Sequence, residues 1–312
     1  MSSLAAQTTP HAAHAAVYPI DGDRIEVAGP DAASFLNRLC TWAVKPMAPN
    51  AARLIFFLNP RGRTLAAPFL VRTEATTFAL DCSPGGGDAL YALLDGYLFS
   101  EDLELARRAE PGLGLYGPKA SDILLAAGLP CPTEGQSLCA TFADHPLRVI
   151  YRARLGGAGY DLWLSPTAHP ALTEALMAHG ATAHDAAALE QARVCAGVAA
   201  WPHEYSDQST PLEVGPMGIT DQKGCYPGQE VIERTVAIGR PARRLCRIRL
   251  DGPAEPGSAL QSDGADIGRL TSVAPHALQG WCALALIKRG FTGSEAHTPS
   301  GGAALILSES TP

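Results

Sequence analysis

Arg24-Ile25-Glu26-Val27 alternates charged and apolar side chains, the two-residue period of a short strand. Pro30 and Asp31 then open a segment in which Phe35, Leu36, Leu39 and Cys40 share one face of a helix. Leu54 to Leu58 is a continuous apolar run and predicts a buried strand. Thr64 to Val71 predicts another, with Pro68 marking an edge or a bulge because it has no amide hydrogen to donate. Ser83-Pro84-Gly85-Gly86-Gly87 breaks the chain, and Leu90, Leu94, Tyr97 and Leu98 follow at helical spacing. Leu103 to Ala106 returns to a strand pattern.

A second cycle starts near Gly112. Ser121 to Ala127 predicts a helix that stops at Gly128, a residue suited to the left-handed turn after a helix. Arg148 to Tyr151 and Tyr160 to Leu164 predict strands on either side of Gly156-Gly157. Ser165-Pro166 opens a helix running to Gly180, and a further helix covers about Asp185 to Ala196. No long series of parallel βαβ units is present, so the fold class is α+β.

After Gly239-Arg240-Pro241 the pattern changes. Cys246, Ile248 and Leu250 alternate with Arg247 and Arg249, and Ile267 to Val273 and Cys282 to Ile287 are further short strands separated by Gly, Pro and Ser. These predict a small all-β domain, a barrel or a sandwich. The expected organisation is a disordered N-terminus over residues 1–17, a mixed α/β region of two lobes, interleaved or consecutive, over 18–239, and a β domain over 240–312.

Composition narrows the function. The 312 residues are 46% hydrophobic and 18% charged, with a formal net charge of −7, which describes a globular chain. No basic run stands out, so direct nucleic-acid binding is not expected. The first 17 residues lack the basic start and apolar stretch of a secretory signal and contain no arginine, and no apolar run is long enough to span a membrane. A cytoplasmic protein without a membrane partner is the expectation. The eight cysteines, Cys40, Cys82, Cys131, Cys139, Cys195, Cys225, Cys246 and Cys282, form no C-x-x-C pair. Disulfides are therefore not expected, no metal site is predicted, and most of the thiols read as small core residues.

Lys223-Gly224-Cys225-Tyr226-Pro227-Gly228-Gln229-Glu230 carries the candidate chemistry. Gly224 and Gly228 permit left-handed backbone, Pro227 stiffens the turn, and Gln229 to Thr235 predicts a short helix behind it. Cys225 would then lie near helix N-terminal amides and the Lys223 ammonium, two influences that favour a thiolate. Lys223 is one of four lysines in a chain that otherwise uses arginine. Two readings of Cys225 stand side by side: a reactive thiol, or a small filler of a turn before a helix. No neighbouring histidine supplies a base; His203 is the nearest upstream, about twenty residues away.

The same stretch resembles the signature of the YgfZ-type folate-binding proteins, part of the aminomethyltransferase (glycine-cleavage T-protein) superfamily that includes a mitochondrial iron–sulfur maturation homologue. Phe35-Leu36-Asn37-Arg38-Leu39-Cys40-Thr41, Leu58-Asn59-Pro60-Arg61-Gly62-Arg63, Arg193-Val194-x-x-Gly197 with Pro211-Leu212-Glu213, Gly268-Arg269-Leu270-Thr271-Ser272 and Ala283-Leu284-Ala285 resemble other parts of that superfamily, in order, from about residue 18 onward. The resemblance implies a three-lobed ring of two mixed α/β lobes and a C-terminal β-barrel. It also implies binding of tetrahydrofolate or a one-carbon-substituted folate. The partners it implies are iron–sulfur client enzymes or assembly proteins, with an association to tRNA modification. On this reading Cys225 and Lys223 are the reactive pair and Glu213 is the hydrogen-bond partner of the pterin, because a carboxylate accepts two donors in a fork. Tyr226 packs near the pocket, and Arg234 and Arg240 meet the glutamate tail. For Tyr226 a core role, and for each arginine simple solvation, fit the residues equally well.

Two departures from the superfamily pattern matter. Where the aminomethyltransferase has an acidic pair, this chain has Ala66-Ala67 in Gly62-Arg63-Thr64-Leu65-Ala66-Ala67. Methyl groups neither donate nor accept a proton, so standard aminomethyl transfer is expected to be absent or very weak. Ser100-Glu101-Asp102 stands where YgfZ-type relatives commonly carry basic residues. The expected function is a tetrahydrofolate-binding accessory protein for iron–sulfur assembly or repair. The alternative is a folate-dependent one-carbon transferase acting on an amine.

Overall fold

A computed structural model describes residues 14–309 apart from 216, 222 and 277–279. The predicted disordered start lies outside the described residues up to position 13. Ala16 and Val17, which that segment included, instead belong to a strand and are buried.

The elements in chain order are β1 (Ala16–Ile20), β2 (Asp23–Ala28), α1 (Ala32–Leu39), β3 (Ala52–Leu54), β4 (Phe57–Leu58), β5 (Thr64–Ala66), β6 (Phe69–Arg72), β7 (Thr77–Cys82), α2 (Gly87–Asp95) and β8 (Glu104–Ala109). Next come β9 (Gly112–Tyr116), α3 (Ala120–Ala126), β10 (Ser137–Phe142), β11 (His145–Tyr151), β12 (Gly159–Trp163), α4 (His169–Ala178), β13 (Thr182–Ala183) and α5 (Ala186–Ala196). The last part holds α6 (Pro211–Val214), α7 (Gln229–Ile238), β14 (Arg243–Leu250), β15 (Ala259–Ser262), β16 (Ala265–His276), β17 (Gly280–Lys288), β18 (Glu295–His297) and β19 (Ala303–Glu309).

The two mixed lobes interleave. Strand β1 joins the second sheet, ordered β10-β11-β12-β9-β1-β13, before β2 enters the first, ordered β3-β6-β7-β2-β8. The register pairs Ala16 with Tyr116 and Ile20 with Gly112 across almost a hundred residues. The C-terminal region closes into a six-stranded barrel, β14-β17-β16-β15-β18-β19. Closure leaves no open sheet edge there, which resolves the barrel-or-sandwich choice physically as well as topologically. The architecture is the expected α+β one: two mixed α/β lobes and a small barrel.

The apolar faces bury as their periods require. Phe35, Leu36 and Leu39 of α1 meet Leu90 and Leu94 of α2 and Ile25 and Leu80 of the first sheet in one core. The second core joins Leu115, Leu124, Leu162 and Leu172. Cys246, Ile248 and Leu250 fill the barrel with Leu270 and Ile287. A further cluster holds the parts together: Phe56 and Leu58, Val194 of α5, Val214 of α6, Ile232 of α7, and Leu245 and Leu284 of the barrel.

Two strand expectations are divided by local chemistry. The run Leu54–Leu58 splits into β3 and β4 because the amides of Ile55 and Phe56 bond to Pro68 O and Thr41 Oγ1 at 3.1 and 3.0 Å, not to a neighbouring strand. Thr64–Val71 splits at Ala67-Pro68, and β5 pairs with β4 while β6 enters the first sheet. Tyr97 and Leu98 lie past Gly96, where α2 ends.

Candidate functional site

The motif turn is held from three sides. Gly228 has φ +79°, and a β-carbon there would lie 2.5 Å from Asn59 O, so only glycine lets this backbone rest on the β4–β5 hairpin. Asn59 in turn organises that hairpin, accepting from the Arg61 and Arg63 amides through Oδ1 at 2.9 and 3.1 Å. Behind the turn, the Tyr226 amide donates to Gln229 Oε1 at 3.3 Å at the start of α7. Ahead of it, Thr41 and Thr220 tie the approaching chain to α1: Thr41 Oγ1 donates to Gly218 O at 2.6 Å, and the Ala43 amide donates to Thr220 Oγ1 at 3.1 Å. Gly224, with φ +96° and open space around it, is needed for its conformation alone.

This scaffold leaves Cys225 exposed. Lys223 is half-buried; its ammonium donates to Asn37 O of α1 and lies 4.9 Å from the Tyr226 ring centroid, a cation–π distance. Burial lowers the Lys223 pKa, while the neighbouring Cys40 and Cys225 thiols pull the other way. Cys40, at the end of α1, is fully buried, and burial pushes its thiol up to about 11 despite the nearby ammonium. One cation therefore faces two thiols, one inside the protein and one outside.

Beside the turn is a cleft of about 280 Å³. Ile219, Tyr226, Ile232 and Val236 form its apolar side, and Thr220, Asp221, Lys223 and Glu233 bring polar groups to it. Burial, with Glu233 and Asp221 nearby, raises the Tyr226 phenol to about 12, so this hydroxyl keeps its proton and remains a donor. Sequence reasoning did not find Asp221 or Glu233. Glu233 is one helical turn after Gln229 and bonds to its amide at that spacing, which marks the face of α7 that meets the cleft.

The other expected site residues are placed differently. Glu213 is buried and its carboxylate is filled by its own chain. Arg243 makes a fork to both oxygens at 2.8 Å, Arg63 Nη1 is 3.4 Å from Oε2, and the Thr210 amide donates to Oε2 at 3.0 Å. With Thr210 it completes a reciprocal cap on α6. The fork expected to receive a pterin is occupied by a guanidinium. Arg234 pairs with Glu230 one turn away on exposed α7 at 2.6 Å, which is a surface ion pair. Arg240 is exposed just after α7. His203 is also exposed, and no hydrogen bond joins it to Cys225 among the described residues. Ala66 and Ala67 are both buried, so no acid stands at that point of the hairpin and the strand after it.

The GCVT N-terminal domain family matches residues 21–223, and the chain belongs to that family. Over 94% of this chain and 85% of the other, the fold matches the glycine cleavage system aminomethyltransferase T of Bartonella henselae with a TM-score of 0.80 and 22% identity. A chloroplastic protein of Arabidopsis thaliana named as a transferase is 28% identical over 80% of this chain and 59% of its own length. An aminomethyltransferase of Thermus thermophilus is 30% identical over 65% of this chain and 58% of its own. This chain thus spans somewhat under three-fifths of the length of these relatives. The human mitochondrial iron–sulfur cluster assembly factor IBA57 is 29% identical over 95% of this chain and 84% of its own. No helix among the described residues is long and apolar enough to cross a membrane.

Proposed function

We propose that this protein binds tetrahydrofolate, or a one-carbon-substituted folate, and supports assembly or repair of iron–sulfur clusters in client enzymes or assembly proteins through Cys225. The carrying observation is an exposed thiol on a glycine-built turn, fixed from three sides, with an ammonium beside it. A buried thiol is inert, whereas an accessible one in an electropositive setting serves as nucleophile or metal ligand. Membership of the GCVT family and the iron–sulfur assembly name of the human relative support this reading.

The cleft suits the ring end of a folate. Its apolar wall of Tyr226, Ile232 and Val236 matches a flat heterocycle, and Asp221 and Glu233 offer carboxylates to ring donors. Its volume of about 280 Å³ is just below the roughly 300–1,000 Å³ of ligand sites, so it would take the ring end alone and the tail would extend into solvent toward exposed Arg240. Glu213 organises α6 and Arg243 in this scheme and does not touch the ring. Lys223 holds its ammonium beside Cys225 as that sulfur meets a sulfur or iron centre of the partner.

The second reading, a one-carbon transferase acting on an amine, draws on the same family and on the aminomethyltransferase relatives. Ala66 and Ala67 argue against it because that place lacks a proton acceptor. One paired experiment separates these readings. Isothermal titration with tetrahydrofolate is expected to show weaker binding for Tyr226→Ala and unchanged binding for Cys225→Ala. A strain carrying only the Cys225→Ala protein is expected to lose activity of its iron–sulfur enzymes. Normal enzyme activity in that strain, or methylene-tetrahydrofolate formation from an amine by the purified protein, would overturn the proposal.

A further inference from the structure

Three potential metal ligands, two from one hairpin and the third from a distant helix, meet at the seam between α5 and the barrel. Cys195 is on α5, His276 ends β16, and Cys282 is on β17. Their ligand atoms all lie within 4.8 Å of one another, and this is the only such group of three among the described residues. His276 is buried and both cysteines are half-buried.

The register explains the convergence. Ala274 pairs directly with Cys282 in the β16–β17 hairpin. His276 is two residues beyond Ala274, so it stands on the same face as a diagonal neighbour of Cys282. That face receives α5. Ala274 and Val194 share a buried cluster, with Cys282 packed against it. Arg193 Nη2 donates to Ser272 Oγ at 2.9 Å, and Gln191 Nε2 donates to Pro275 O at 2.9 Å. Cys195 follows Gln191 by four residues, one helical turn, and its sulfur is 3.9 Å from the same carbonyl. The helix is thus docked in one position, with its sulfur turned toward the hairpin.

We infer that Cys195, His276 and Cys282 form a binding site for a thiophilic divalent metal ion, zinc by its ligand chemistry. Two thiolates and one imidazole are a zinc donor set, with a fourth position left for water or a donor from a partner. Zinc bonds of roughly 2.0–2.3 Å hold tetrahedral donors roughly 3.5–3.8 Å apart, so donors within 4.8 Å close around an ion by small side-chain rotations. Two thiolates balance the charge of the ion, and two protons leave as it binds. The bound ion clamps α5 to the barrel. The spacing along the chain conceals the site, because 195, 276 and 282 contain no close ligand pair of the kind that announces structural zinc.

Cobalt reports the site directly. The full chain, kept reduced and stripped with a chelator, is titrated with Co²⁺ and followed by absorption. The expected result is about one equivalent bound, with thiolate-to-cobalt charge transfer in the near ultraviolet and tetrahedral bands in the visible. Zinc should bleach these bands. Cys195→Ser and Cys282→Ser should each abolish them, and Cys225→Ser should leave them intact, which separates this site from the motif turn. Circular dichroism checks that each variant is folded. Should a serine variant unfold, X-ray absorption of the zinc-loaded wild-type protein still decides, with two sulfurs and at least one imidazole nitrogen expected. Absence of thiolate–cobalt absorption, its survival in both serine variants, its loss in Cys225→Ser, or a zinc shell without sulfur would overturn the inference.

Discussion

Between the two sheets, Asp81 and Asp161 are buried under Arg24, Arg152 and Arg154, whereas at the motif turn a single ammonium lies beside one buried and one exposed thiol. Arg154 grips Asp161 through Nε at 3.0 Å and Nη2 at 2.7 Å, Arg152 adds a bond at 3.0 Å, and the Tyr116 hydroxyl donates at 2.5 Å. Arg24 stacks 4.2 Å over Trp163, and Arg152 stacks 4.5 Å over Phe69. Both carboxylates there are answered by guanidinium groups of the same chain, so the cluster fixes the two lobes. The motif turn is organised by its backbone and leaves its sulfur unenclosed. Concentrated charge marks architecture in this molecule, and the exposed thiol on the motif turn is where we propose the chemistry.

The largest expected effect tests the architectural half. Asp161→Asn keeps the shape but removes one of the two carboxylates that balance Arg24, Arg152 and Arg154, leaving Asp81 alone among them, and loss of one partner in such a buried network costs about 3–5 kcal/mol. Urea unfolding at neutral pH should show that loss. The pH dependence has a definite sign. Burial pushes the Asp161 carboxyl up, but Arg154 and Arg152 with the Tyr116 bond outweigh it and hold the pKa below the usual range. A depressed folded value means that the stabilisation is complete above the unfolded pKa of about 3.9 and is lost as pH falls through the lower folded value. The gap between wild type and Asp161→Asn should therefore narrow below about pH 4.

Gly228→Ala comes next. A β-carbon at φ +79° and 2.5 Å from Asn59 O forces the turn off the hairpin, which should cost about 1–3 kcal/mol and weaken folate binding in the same titration. Cys225→Ala should be the mildest for stability, within about 0.5 kcal/mol in urea, because the side chain is exposed. Equal destabilisation by Cys225→Ala and Asp161→Asn would erase the contrast between the regions.

Much of the fold was legible because it rests on local periodicity. The helices at Phe35–Leu39, Ser121–Ala126 and Gln229–Thr235 and the alternating strand at Cys246–Leu250 follow from side-chain spacing, and Gly128 and Gly239 end helices in the left-handed conformation that glycine favours. Less was legible where distant partners decide. The exchange of β1 into the second sheet depends on pairing with Gly112–Tyr116. Strands β15 and β18 are short and were not anticipated; they exist because the barrel closes through them. At the candidate site, the motif glycines, Lys223 and Cys225 were readable in one stretch, but the exposure of that sulfur was not. The engagement of Glu213 was not, because Arg63 and Arg243 reach it from 150 residues before and 30 after. Cys195 and Cys282 read as ordinary core thiols for the same reason: only the docking of α5 on the hairpin brings them together.

The central claim is that position 225 is a thiol set up to react, beyond being merely exposed. Cys139 is also exposed, on strand β10, and is the internal control. Limited alkylation of the native chain at neutral pH, mapped by mass spectrometry, compares the two in one sample. The account predicts that Cys225 is modified several-fold faster than Cys139 and that Lys223→Met removes most of the difference. Equal rates at the two cysteines, or a slower Cys225, would contradict it.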